Sequence, residues 1–150
     1  MPFVIRTAVE ADLDDLRGIF RRASLSNVGD RANLQAHPEV LELSGDAVGE
    51  GRTRVAVGPD GSVLGFSSFL VGDGFLDVED LFVDPPSMRL GIARALILDL
   101  RAIASSRSIG RLEVTANPHA LAFYEATGFV AIGVVETRFA PAPRLGLQVS

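Results

Sequence analysis

The chain has 150 residues, of which 47% are apolar and 22% charged, with a formal net charge of −5 and no cysteine; these values fit one globular domain with a core of its own and exclude a disordered chain. The acidic balance argues against nucleic acid, and the absence of thiols, with only His37 and His119 as imidazoles, argues against disulfides, thiolate nucleophiles and a metal site. No apolar run approaches a bilayer span and residues 1–6 carry no leader-like pattern, so neither a membrane segment nor a signal peptide is expected, and the expected location is cytoplasmic.

Phe3 to Arg6 reads as a short strand. Leu13, Leu16, Ile19, Phe20 and Ala23 then fall on one helical face, with Glu10, Asp12, Asp14 and Asp15 near its positive end. Residues 26–30 break that helix, and a second, weaker one is predicted from Pro38 through Leu43. The period changes at Thr53. Thr53 to Val57, Ser62 to Leu70 and Phe75 to Val83 read as strands parted by the turns Pro59-Asp60-Gly61 and Gly72-Asp73-Gly74. Ile92, Leu96, Leu100 and Ile103 define a helix from Gly91 to about Ser106. Arg111 to Ala116 is a strand, and Pro118 to Thr127 is a helix closed by Gly128. Phe129 to Phe139 and Leu145 to Val149 are the last strands, split by Pro141 and Pro143. The expectation is an α/β (α+β) fold: one domain over residues 1–150, with a mixed sheet and helices on its faces.

Three stretches could carry chemistry. Residues 83–93 join a strand to a helix start, whose unpaired N–H groups and positive dipole end suit a phosphate. Gly91 and the small Ala93 admit an anion close to that backbone, and Arg89 adds a charged donor. The plain alternative is a helix start with a glycine for packing. Neither a P-loop nor a Rossmann glycine pattern is present.

In the preceding strand, alternation stops at Glu79-Asp80, which predicts a β-bulge or a change of face. Unpaired backbone there could take an extended ligand as an added strand. Asp77, Glu79 and Asp80 could serve as a general base or grip a cation, or could simply face solvent. The third stretch is 117–129. Asn117 before Pro118 is a good helix cap and needs no further role. Tyr124, the only tyrosine, could protonate a leaving thiolate or could pack as core.

Taken together, these pieces resemble the GNAT family of N-acetyltransferases. The strand-loop-helix Leu81 to Leu96 is similar to the family's acetyl-CoA motif. Asn117 to Phe129, with spacing Asn-x-x-Ala-x-x-Phe-Tyr-x-x-x-Gly-Phe, is similar to its second signature. The element order over almost the whole chain is also similar. The family's first motif has Gln or Arg three residues before its first glycine; this chain has Met88 there, with Arg89 one place along.

The resemblance implies a mostly antiparallel sheet of about seven strands flanked by about four helices. It implies acetyl-CoA as acyl donor and direct attack of an amine on the thioester. The backbone of Leu81, Phe82 and Val83 would hold the pantetheine, with an N–H near Phe82 or Val83 on the thioester carbonyl. Met88, Arg89, Leu90, Gly91, Ile92, Ala93 and Arg94 would cradle the diphosphate, and Asn117, Ala120, Phe123 and Tyr124 would complete the donor site. Glu79 is the first choice as general base, Asp77 and Asp80 the next, and Tyr124 matches the family's general acid. The acceptor implied is a small-molecule or peptide amine, cationic given the net charge, and the late strands could supply a homodimer interface. Two rivals stand beside it: a catalytically idle acyl-CoA-binding domain with a sensing or structural role, and a generic nucleotide-binding module. A serine hydrolase fits poorly, since Gly65-Phe66-Ser67-Ser68-Phe69 lacks the second glycine of a nucleophile elbow.

Overall fold

A computed structural model describes residues 3–26, 35–36, 42–137 and 140–149. Seven strands form one sheet: β1 (Val4–Thr7), β2 (Thr53–Val57), β3 (Val63–Val71), β4 (Leu76–Val83), β5 (Arg111–Thr115), β6 (Val130–Glu136) and β7 (Pro141–Gln148). Their order is β1-β2-β3-β4-β5-β7-β6. The β4–β5 pair is parallel, and the β1–β2, β2–β3, β5–β7 and β6–β7 pairs are antiparallel. Among the described residues the helices with defined bounds are α1 (Leu13–Leu25), α2 (Asp46–Gly49), α3 (Ile92–Ser106) and α4 (Leu121–Ala126). Single 3-10 turns precede α1 at Glu10–Asp12, α3 at Pro85–Ser87 and α4 at Pro118–Ala120.

The chain divides into two compact units, Met1–Ser68 with Asp80–Leu96, and Phe69–Glu79 with Ile97–Ser150. In the first, Val55 and Val57 of β2 join Leu16 and Ile19 of α1, with Ala8, Val48 and Phe66, in one apolar cluster. Ala56, between those valines, joins Leu64, Val83, Ile92 and Leu96 in another. That is the two-residue period of a strand buried on both faces. Each fully buried Leu, Ile or Phe contributes roughly 1.5–3 kcal/mol of apolar transfer. The entry to α1 is fixed by Asp12, which takes two hydrogen bonds from the Arg6 guanidinium (2.8 and 3.0 Å) and one from the Val9 N–H (2.8 Å). The Arg6 contact, above all, holds the Asp12 carboxyl below the usual carboxylate range.

In the second unit, Leu112 and Val114 of β5 lie opposite Leu76 and Val78 of β4 and opposite Leu147 and Leu145 of β7, and all six are buried. The alternate positions put Asp77, Glu113 and Arg144 on the other face.

Four sequence expectations change. The helix placed at Pro38 through Leu43 lies outside the described residues over 38–41, and Glu42 and Leu43 are not helical. The short α2, with one buried residue, Val48, was not anticipated. The helix expected from Pro118 to Thr127 is a 3-10 turn followed by only six α-helical residues. Finally, Pro141 and Pro143 do not split the last strands, since both lie within β7. Pro141 is its first residue, and Pro143 faces the end of the β5 ladder, where its carbonyl accepts from the Ala116 N–H at 2.9 Å. The proline ring removes only the return bond at a ladder end, which a strand tolerates. A register irregularity in the first unit lies between Ala56 and Val57 of β2, opposite β3.

Candidate functional site

The first unit carries the strand-to-helix corner. Gly65 of β3 lets the end of β4 approach, since a Cβ there would stand 2.8 Å from the Phe82 carbonyl oxygen. Phe82 turns its ring into the core, edge-on to Phe20 at 4.9 Å and tilted on Phe66 at 5.7 Å. Leu81 packs against the other cluster and Val83 is buried within it. The side chains of all three residues are therefore occupied by packing, and any ligand role rests on their backbone.

After β4, Asp84 gathers three contacts. Its N–H donates to the Leu64 carbonyl (2.9 Å), and its own carbonyl accepts from the Ser87 N–H (2.8 Å). Its carboxylate takes a two-point contact from Arg22 of α1, Nε to Oδ1 at 2.9 Å and Nη2 to Oδ2 at 3.1 Å. This pairing raises the Arg22 guanidinium above its ordinary value. The Met88 N–H donates to the Pro85 carbonyl at 3.3 Å, so that amide belongs to the 3-10 turn, while its side chain is exposed.

The backbone then reverses hand twice: Arg89 has φ +67° and Gly91 φ +82°. Residues of alternating hand turn their N–H groups inward, which makes a concavity suited to an anion. The first bond into α3 runs from the Ala95 N–H to the Gly91 carbonyl at 3.0 Å. The N–H groups of Ile92, Ala93 and Arg94 therefore precede the helical ladder. Ile92 anchors the corner, buried, with Ala93 packed beside it, while Arg89, Leu90, Gly91 and Arg94 are exposed. A Cβ on Gly91 would meet nothing within 4 Å beyond its own chain neighbours. The corner is exposed, and its donors fit a diphosphate.

The second unit carries the other signature. The Asn117 side chain accepts from the His119 N–H at 3.0 Å and caps the turn Pro118–Ala120, as the sequence suggests. Ala120 and Phe123 are half-buried. Tyr124 is only 6% exposed, with its ring edge-on to Phe123 (5.2 Å) and to Phe129 (5.3 Å). Its carbonyl accepts from the Phe129 N–H at 3.1 Å and the Thr127 hydroxyl at 2.7 Å. Gly128, at φ +103°, makes the reversal that folds Phe129 back onto Tyr124.

The three acids of β4 part company. Asp77 contacts Arg144, Oδ1 to Nη1 at 2.7 Å, without the alignment of a hydrogen bond. Glu79 is exposed and Asp80 half-buried. Arg144 also reaches Glu113 (3.0 and 3.1 Å) and Thr115 (3.0 Å), and Glu113 takes a second arginine, Arg111, at 2.6 and 2.8 Å. Sequence reasoning did not single out Arg22, Asp84, Glu113 or Arg144. Asp84 offers a faint signal, an acid between a strand and two prolines; Arg144 offers none, because it stands beside prolines that read as a break.

Among the described residues no group of three or more His, Cys, Asp or Glu could hold a metal ion, and no helix is long and apolar enough to cross a membrane.

Residues 36–140 match the family model described as an acetyltransferase (GNAT) domain. Among curated proteins the chain is 31% identical over 80 residues to glucosamine 6-phosphate N-acetyltransferase of Trypanosoma brucei brucei; the match covers 49% of this chain and 54% of that protein, so it spans about half the relative's length. The fold is similar to PaiA N-acetyltransferase from Thermoplasma acidophilum in complex with coenzyme A, at TM-score 0.75, 16% identity and 99% coverage of both chains. It is also similar to a phosphinothricin acetyltransferase from Sinorhizobium meliloti in complex with AcCoA, at TM-score 0.72, 19% identity and coverage of 99% and 89%.

Proposed function

The chain belongs to the GNAT acetyltransferase family, and on that footing we propose that its single domain transfers an acetyl group from acetyl-CoA to a primary amine. One observation carries the reading: the exposed corner where Arg89 and Gly91 take the left-handed conformation just before the unladdered amides of α3. A diphosphate is the anion that such a row of amides suits, and the matched family and the coenzyme-bound structures of similar fold support coenzyme A as its bearer.

The residues divide the work as follows. Amides from Arg89 to Arg94 bind the diphosphate, and the backbone of Leu81 to Val83 aligns the pantetheine as an added strand. An N–H near Phe82 or Val83 polarises the thioester carbonyl. The acceptor nitrogen attacks the carbonyl carbon; the C–N bond forms and the C–S bond breaks. The ammonium proton passes to Glu79, or to Asp80 beside it, directly or through water, and the departing thiolate takes a proton from the Tyr124 phenol. Asp77 is left out of this exchange because Arg144 already holds it. A cationic amine acceptor follows from the net charge and the acids of β4. The cytoplasm is the location in keeping with a chain that lacks cysteine.

A homodimer is part of the proposal, with its seam on β6. That edge strand is exposed along its whole length, with Val130, Ile132 and Val134 outermost. An uncovered apolar edge invites a further strand.

The decisive experiment is calorimetric titration with CoA, followed by thiol release from acetyl-CoA across a panel of polyamines, amino sugars and peptide amines. Binding together with amine-dependent release is the expected result. Binding with no release on any amine would favour the idle acyl-CoA-binding domain, and no binding would remove the donor site altogether.

A further inference from the structure

The face of the second unit opposite its apolar core carries a charged network that the reaction does not use. Arg144 of β7 is its centre. It contacts Asp77 on β4 (2.7 Å) and Glu113 on β5 (3.0 Å), bonds the Thr115 hydroxyl (3.0 Å), and lies over the Phe75 ring at 5.6 Å. Arg111 closes the network, paired with Glu113 and also over Phe75, at 5.9 Å. The side chains of Arg144 and Glu113 are only 18% and 9% exposed, so these charges are largely withdrawn from water.

The position of the network along the strands matters most. The parallel β4–β5 ladder runs from Leu76↔Leu112 through Asp77↔Glu113 to Val78↔Val114. Arg144 grips the middle pair of that ladder through both carboxylates, and on β5 it also grips Thr115, one residue past the last pair. Continued pairing would set Glu79 opposite Thr115. On β4, however, the guanidinium reaches back to Asp77. One side chain from a third strand thus ties β4 to β5 at the middle rung of their ladder and holds β5 just past its last one.

We propose that Arg144 is a positioning residue that fixes where β4 and β5 stop pairing, and thereby where the acyl donor enters alongside β4. The proposal rests on the acetyl-CoA reading of the site. Two properties of arginine suit it to this role, namely a planar fork that serves several acceptors at once and hydration weak enough for burial over an aromatic ring. A lysine, a single point charge, would not hold Asp77, Glu113 and Thr115 together.

The experiment compares the parent chain with Arg144→Leu, Arg144→Lys and the triple variant Asp77→Leu/Glu113→Leu/Arg144→Leu. The triple variant removes the charges together, which is often neutral for stability. Three quantities are read: melting temperature, CoA affinity by calorimetry, and hydrogen exchange at the Val78 and Thr115 amides, which face each other's strand across the ladder. The triple variant is expected to regain the parent's melting temperature yet keep faster exchange at those amides and weaker CoA binding, with a kcat/KM loss of about a hundredfold, as for a displacement near 1 Å. Arg144→Lys is expected to rescue neither. Affinity and exchange returning to parent values along with stability would overturn the proposal and leave the network structural. Should the parent bind no CoA, the donor reading fails, and exchange at Val78 and Thr115 still decides whether Arg144 holds the ladder.

Discussion

Arg89 and Gly91 both lie in the left-handed region, and the conformation costs them differently. Glycine adopts it freely, whereas a side chain adds steric strain. Gly91→Val is therefore expected to destabilise the fold by about 1–3 kcal/mol and to weaken CoA binding, read by denaturant midpoint and calorimetry on the same preparation. Affinity left unchanged would place the diphosphate elsewhere. Tyr124→Phe keeps the ring packing on Phe123 and Phe129 and removes only the hydroxyl, so CoA affinity is expected to hold while turnover falls by roughly 10²–10⁴-fold. Turnover at the parent level would retire the phenol as acid. Gly91 and Tyr124 were legible in the sequence because each belongs to a contiguous motif. The conformation of Arg89 was not: residue type predicts positive φ for glycine, while an arginine is brought there by the turn around it.

Strands β2, β3 and β4 and helices α1 and α3 were legible to within a residue or two, because alternation and helical spacing are local signals that burial enforces. Two kinds of element were not. The four-residue α2 is too short to display a period, and β7 hides behind prolines that its neighbours tolerate for reasons of position. The lead-in to α1 shows how a single acid can set an element. The folded-state pKa of Asp12 is depressed, so its share of stability is present above the unfolded value near 3.9 and is lost as pH falls through the folded value. Asp12→Asn is expected to cost about 2 kcal/mol at neutral pH and to flatten the acid limb of a stability–pH curve. A curve of unchanged shape below about pH 4 would mean the Arg6 contact contributes nothing.

For the molecule as a whole, a net charge of −5 and an uncovered apolar edge on β6 act in opposite directions. Charge keeps copies apart over distances of about 8–10 Å at ordinary salt, while in the proposed dimer the edge would join them once in contact. Val134, 71% exposed, is the position to test. Val134→Lys is expected to turn a dimer into a monomer in sedimentation without altering the melting profile of a dilute sample; a parent already monomeric at high concentration would dismiss the seam. Tertiary chemistry of this kind was the part sequence could not disclose, since Arg144 meets Asp77 and Glu113, and Arg22 meets Asp84, across 31 to 67 residues of chain. One such long-range contact has a consequence for evolution and engineering alike. Phe82 sits with its ring clasped by Phe20 and Phe66 and its main chain in the row that the thioester would face. Trimming Phe20 to alanine, in the opening helix and one ring behind Phe82, should therefore lower kcat by shifting that row, and a mutational screen confined to residues that touch the coenzyme would pass over it.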